Sequence, residues 1–396
     1  MANTSDLPAV VIPFYNRDKV IPPEPQEKQT FHARCHCGNV EFDLTIPTAI
    51  LPLNAYICSC SSCRYTRGAL CSLHVALPQT ISPEWTNGRI NVSVHKSPGS
   101  GAGGHGQRLF CPTCGVRVGL FEPRMAQWVV STSLFRDTTA GPLFWSVTCF
   151  GFYKSPRDGG LLSWLPDGVG GKPLHLGTVP YDFPPDEALS IRPDGTEWLC
   201  VACFCGGVAF EIPRPAEAVR GDPHMARCVA PPLEKDNDED KGEGKGKWKW
   251  KAYMDFGGDS WALSGAQGMP WVQVPRAVLS PAVPTTLEFG TVKTYKVSST
   301  LTTGFCEYCG ARVFLRDEEE GKKEADKGTE VLNVALGLLR APEGAKAEDW
   351  VVWRAGRPEG VEEGKRFDGE FVDAMAEGMR RWGLDRYGEA LEFDIV

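Results

Sequence analysis

The sequence predicts a mainly β fold in two tandem domains, closed by a short C-terminal helix. Three observations predict it. The 396 residues include 43 Gly and 31 Pro, a usage that suits many short strands joined by turns. Apolar and polar residues alternate over short runs: Val40, Phe42, Leu44 and Ile46 are separated by Glu41, Asp43 and Thr45, the period of a strand with one buried face. Finally, CHCGNVEFDL at 35–44 recurs as CFCGGVAFEI at 203–212, and FCPTCGVRVGL at 110–120 recurs as FCEYCGARVFL at 305–315. Two motifs in the same order and the same strand phase argue for a tandem duplication.

Bulk composition narrows the function classes. Hydrophobic content of 42% and charged content of 23% are ordinary for a chain that buries a core. A net charge of −8 argues against a sequence-independent nucleic-acid binder, so no nucleic-acid partner is expected. The N-terminus, MANTSDLPAVVIPFYNRDKV, lacks a basic stretch followed by an apolar one, and no apolar run reaches the roughly 18 residues of a membrane span. The expectation is a cytoplasmic protein without a membrane partner, the nucleus remaining open. There the 15 cysteines stay reduced, and clustered pairs are metal ligands rather than disulfides.

Taken in order, residues 1–28 read as a Pro-rich N-terminal arm, and 29–165 as a first domain. Cys35 and Cys37 precede Gly38, where a turn with positive φ lets backbone N–H groups face sulfur. Cys58, Cys60 and Cys63 then fall within six residues. Thiolates are soft ligands suited to zinc; a structural site closes with four, whereas a catalytic site keeps three and leaves a position for water or substrate. No fourth cysteine stands at ligand spacing, the nearest being Cys71 beyond Gly68, so this is a candidate open zinc site. The glycine-rich run 97–106 lacks the Lys-Ser/Thr of a phosphate-binding loop and reads as a flexible connection. Cys111 and Cys114, followed by Gly115, complete four thiolates with Cys35 and Cys37, a closed zinc site. His36 could compete as a ligand, but the paired cysteines already make four. The aromatic stretch 128–164 completes the first domain, and the Pro- and Gly-rich residues 166–196 form a linker.

The second domain is expected over 197–385. Cys203, Cys205, Cys306 and Cys309 are its closed zinc site. An open triplet is missing. The simplest alignment places Phe256, Gly258 and Trp261 at the three ligand positions; shifting by one places Asp255, Gly257 and Ser260 there. The charged insert 234–251 is expected to be a solvated, disordered loop. Cys71, Cys149 and Cys200 read as buried small residues, and Cys228 as a core thiol or a relic. Phe371, Met375, Met379 and Trp382 share one helical face, which predicts a C-terminal helix packed on the second domain, followed by a tail at 386–396.

Cys-x-Cys-Gly, then Cys-x-Cys-x-x-Cys-Arg with Gly-Ala following, then Phe-Cys-x-x-Cys-Gly resembles the glutathione-dependent formaldehyde-activating enzyme family, shared with centromere protein V. The resemblance covers about 28–165 in full and 197–385 in part. It implies a zinc-anchored β-tent. Cys35, Cys37, Cys111 and Cys114 match the structural zinc, and Cys58, Cys60 and Cys63 the catalytic one. The second half then looks like a family domain that keeps only the structural zinc, giving two zinc ions in the first domain and one in the second. The implied activity is a carbon–sulfur lyase, adding or removing a glutathione-like thiol at an aldehyde or related electrophile. Beside the triplet, Arg64, taken as a catalytic candidate, and Arg67 can offset three thiolate charges or hold a substrate carboxylate. The alternative is a non-catalytic, zinc-stabilised binding or scaffold protein, a reading the degenerate second half supports. The thiol, the electrophile and the oligomeric state stay open.

Overall fold

The computed structural model describes residues 16, 19, 21, 23 and 26–395, apart from 88–91, 97–106, 124–125, 137–141, 178–188, 234–245 and 320–329. Alternating burial along Glu41–Pro47 (β2) follows the alternation in its sequence: Phe42, Leu44 and Ile46 are fully buried. This strand lies between Lys28–Arg34 (β1) and Glu84–Trp85 (β5) in a three-stranded antiparallel sheet. The larger sheet of the first half runs, in spatial order, His175–Gly177 (β11), Trp145–Gly151 (β10), Leu53–Cys58 (β3), Ser72–Ala76 (β4), Gln127–Ser131 (β9), Arg117–Glu122 (β8), Gln107–Phe110 (β7) and Ser93–Lys96 (β6). Its pairs are antiparallel except β10, which is parallel to both β3 and β11.

The second half repeats this arrangement. Leu189–Ile191 (β12), Glu197–Ala202 (β13) and Ala209–Pro213 (β14) make the small sheet. The large one runs Val229–Ala230 (β15), Lys249–Asp255 (β16), Met269–Pro275 (β17), Val331–Ala335 (β21), Arg312–Asp317 (β20), Leu301–Cys306 (β19) and Val292–Lys296 (β18). Val351–Trp353 (β22) lies parallel beside β16, as β10 lies beside β3.

Several sequence expectations change in detail. Both described ends of segment 166–196 belong to sheets, β11 to the first half and β12 to the second. The insert is shorter than 234–251: Lys249–Lys251 open β16, because Trp250 is fully buried and its indole nitrogen donates to the Pro213 carbonyl at 2.9 Å. Residues 234–245 of that insert, and the glycine-rich run 97–106, lie outside the described residues. Of the N-terminal arm, Asn16 is buried between β3 and β4, donating to the Ala76 carbonyl at 2.6 Å and accepting from Asn54 N at 2.8 Å.

The C-terminal helix α3 (Val361–Tyr387) buries Phe371, Met375 and Met379 and lays half-buried Trp382 against Trp164 with ring centres 5.7 Å apart. It kinks at Asp368, whose backbone leaves the helical region; the carboxylate accepts from Phe371 N at 3.1 Å and from the Trp145 indole at 3.2 Å. No described helix is long and apolar enough to cross a membrane.

The two halves share one continuous apolar core. Their contact is reciprocal. Buried Arg117 donates to the Cys309 carbonyl at 2.8 Å, and buried Arg312 donates to the Cys114 carbonyl at 2.9 Å. Gly115 and Gly310, both at φ +74°, leave room for the opposite ring: a Cβ at Gly115 would lie 2.5 Å from Phe305, and one at Gly310 would lie 2.6 Å from Phe110. Only glycine meets both demands, the left-handed backbone and the close approach.

Candidate metal centres

Each closed cysteine set sits on two turns that sequence and backbone build alike. In the first, Cys35 N donates to the Val40 carbonyl at 3.0 Å and Val40 N donates to Cys35 Sγ at 3.3 Å. Cys203 and Val208 repeat this at 3.0 and 3.4 Å. The second turns match equally, Gly115 N donating to the Cys111 carbonyl and Gly310 N to that of Cys306, both at 2.8 Å. Cys35, Cys37, Cys111 and Cys114 bring their sulfurs within 4.8 Å of one another, and so do Cys203, Cys205, Cys306 and Cys309.

Two sulfurs on one tetrahedral zinc, each about 2.3 Å from it, stand about 3.8 Å apart. Contacts of 3.5 Å for Cys35–Cys37, 3.6 Å for Cys37–Cys111, 3.6 Å for Cys203–Cys205 and 3.5 Å for Cys205–Cys306 fit such a set. All eight thiols are free of disulfides. His36 takes no part. Its Nδ1 meets the Tyr295 hydroxyl at 2.8 Å and its Nε2 meets Asp259 at 3.0 Å, so it ties the first turn to the second half.

The third set is Cys58, Cys60 and Cys63, again within 4.8 Å of one another, with no fourth Cys, His, Asp or Glu joining them among the described residues. Cys58 ends β3, and Cys60 is the N-cap of the five-residue helix α1 (Ser61–Tyr65), which carries Cys63. Cys60 Sγ lies 3.5 Å from Cys58 Sγ and accepts from Cys63 N at 3.4 Å, so the sulfur itself caps the turn. Cys58 and Cys60 are buried, and Cys63 is half-buried. Hydrogen bonds from Cys58 and Cys60, with His74 and Arg67 nearby, hold Cys63 well below the ordinary thiol range. Its hydrogen bond with Cys60, together with burial, holds Cys58 well above it. A corner with one ready thiolate and two more close by has the donor set of a soft cation.

Around this corner the two arginines differ. Arg64 is buried and its Nε donates to the Ser59 carbonyl at 3.3 Å, bracing the turn between Cys58 and Cys60. Arg67, also buried, reaches His74 Nε2 with a guanidinium N–H at 3.3 Å. Arg67 therefore makes Nε2 an acceptor, and His74 Nδ1 is left without a hydrogen-bond partner. Burial and the Arg67 charge lower His74 to about 4, keeping the ring neutral near pH 7. Sequence reasoning passed over His74. Its signal was the strand that follows the triplet, where it pairs with Tyr56 two residues before Cys58. Arg117 was missed too, although each motif carries an arginine two residues beyond its glycine.

The equivalent corner of the second half settles the alignment. Asp255 ends β16, Gly257 is the N-cap of α2 (Gly258–Ser264), and Ser260 occupies the third helical position, as Cys58, Cys60 and Cys63 do. The N-cap backbones coincide, φ −61° and ψ 151° at Cys60 against φ −55° and ψ 154° at Gly257. Thus the shifted register holds, and Phe256, Gly258 and Trp261 are not the counterparts. Here one carboxylate does the bridging: Asp255 accepts from Gly257 N at 2.8 Å and from the Ser260 hydroxyl. Cys71, Cys149 and Cys228 are buried in the core, and Cys200 is half-buried.

Residues 30–142 match the family model described as glutathione-dependent formaldehyde-activating enzyme, a span that includes the triplet and the first closed set. No curated protein matches the chain. The seven cysteines of the first half gather into one four-sulfur and one three-sulfur set, and all of them lie inside the span that matches the glutathione-dependent formaldehyde-activating enzyme model.

Proposed function

We propose that the chain is a zinc-dependent carbon–sulfur lyase that joins a thiol such as glutathione to an aldehyde or related small electrophile, or runs the reverse cleavage. The observation that carries this reading is the three-sulfur corner, which among the described residues has no fourth protein donor of the kind that both other sets possess. Cys58, Cys60 and Cys63 would hold the ion; when bound, zinc supplies Lewis acidity toward a carbonyl oxygen or an incoming thiol. In the forward direction the thiol sulfur bonds to the carbonyl carbon, the carbonyl π pair moves to oxygen, and the thiol proton ends on that oxygen. Nothing is oxidised or reduced.

The chain's own residues serve the step as follows. Arg67 offsets the excess negative charge of three thiolates over a dication. His74, neutral and accepting from Arg67 at Nε2, carries its proton on Nδ1 and holds the Arg67 guanidinium beside the triplet. Arg64 fixes the turn that aims Cys58 and Cys60. The second half reads as a copy of the same unit that keeps a closed zinc set and has replaced the open one with Asp255, Gly257 and Ser260; the matched strand orders and N-cap dihedrals support this. In that half the non-catalytic, scaffolding reading is the better one.

The test is exchange spectroscopy by NMR on carbon-13 formaldehyde with glutathione, and on a panel of other thiols and aldehydes. Wild-type protein should accelerate exchange between free and thiol-bound aldehyde. Cys60→Ser should lose at least about 100-fold of that acceleration, as expected when an electrophilic group is removed, while keeping its melting temperature. Full activity in a folded Cys60→Ser protein, or no acceleration by wild type across the panel, would refute the reading.

A further inference from the structure

The triplet lies in the first half, yet much of what holds Arg67 comes from the second. The Arg67 carbonyl accepts from Arg312 N at 3.2 Å, and its Nε donates to the Gly265 carbonyl at 3.4 Å. The following residue is gripped in the same way: Gly337 N donates to the Gly68 carbonyl at 3.0 Å, and a Cβ at Gly68 would stand 2.4 Å from the Arg312 carbonyl. Among the described residues no carboxylate pairs with Arg67; the groups of opposite sign acting on it are the sulfurs of Cys63, Cys58 and Cys71.

We infer that the second half is a built-in partner of the open site: it fixes Arg67 at both ends and, through Arg67, sets how tightly the three thiolates hold a metal ion. The inference rests on the reading that the triplet holds a metal. A dication with three thiolates keeps one excess negative charge. A cation fixed nearby, away from water, stabilises that charge far more than a solvated one would. An arginine left unheld would turn its guanidinium toward solvent. Gly265 is the point of the clamp that meets the Arg67 side chain. It closes α2 at φ +66°, and a Cβ there would lie 3.2 Å from Arg67 Nε and 3.0 Å from Arg117 Cβ. Arg67 and Gly265 are therefore positioning residues that need not touch substrate.

The experiment loads full-length protein with cobalt(II) and follows thiolate-to-metal absorption during competition with a chelator. Wild type should hold three ions, one for each cysteine set, and the three-sulfur site should differ spectrally from the closed ones. Gly265→Ala and Arg67→Met should each release the open-site ion roughly ten-fold more readily, with the closed sites unchanged. Arg67→Lys, which keeps the charge, should recover part of the loss; a purely structural effect would instead follow the melting temperature. Should Gly265→Ala fold poorly, Gly265→Asn adds the same Cβ while tolerating the left-handed turn. Open-site constants within about two-fold of wild type in the Gly265 and Arg67→Met variants would overturn the inference alone. A wild-type chain that takes only two ions would overturn the lyase reading as well.

Discussion

At the scale of the residue, burial decides which titrating groups matter. Asp368 sits at the kink of α3, and burial raises its carboxyl above the ordinary value despite hydrogen bonds from Phe371 N and the Trp145 indole. A carboxyl raised in the folded state contributes stability that is whole below its unfolded value, near pH 4, and is lost as pH rises through the folded value. Asp368→Asn keeps an acceptor and removes the titration. Relative to wild type, its melting temperature should therefore climb between acid and neutral pH; a constant difference across that range would contradict the assignment. Such effects were not legible in the sequence, because Trp145 lies 223 positions from Asp368 and only the fold brings them together. The cysteines were legible, since their ligand spacing is local. Arg64 and Arg67 were legible as neighbours of the triplet but not as different from each other. What separates them is a carbonyl from the adjacent turn in one case and from Gly265 in the other.

At the scale of the element, the same strand–turn–helix corner appears twice with different chemistry inside it. The turn persists in the second half because Asp255 takes over the bridging, with Gly257 N and the Ser260 hydroxyl as donors. Two registers remained open in the sequence there, since no cysteine marked the positions. The N-cap dihedrals chose between them. It follows that Asp255→Cys, Gly257→Cys and Ser260→Cys together should place three sulfurs on a backbone already shaped for them. The expected outcome is one more zinc per chain by elemental analysis than in wild type. An unchanged metal content in a folded triple variant would show that backbone shape alone does not make the site. Strand β16 was read less well from sequence, because the lysines among its first three residues continue the charge pattern of the preceding insert.

At the scale of the whole molecule, the two halves are joined by contacts that come in pairs. Arg117 and Arg312 each brace the other half's cysteine turn, and Gly115 and Gly310 each receive the other half's phenylalanine. Gly115→Ala and Gly310→Ala should each cost about 2 kcal/mol or more, combining left-handed strain with overpacking. Both should lower one shared unfolding transition in calorimetry; two separate transitions, with each variant moving only one, would mean the halves melt independently. The repeated strand order could be expected from the repeated motifs, but the reciprocal packing could not, since no local pattern specifies which surfaces meet. This pairing has a further consequence. In an assembly of two identical chains every substitution is made twice, so a change that spoils one site spoils both. Here the two faces belong to one polypeptide and can drift separately. One face can abandon its chemistry and specialise as support, and the other keeps a symmetric cradle without carrying a symmetric burden.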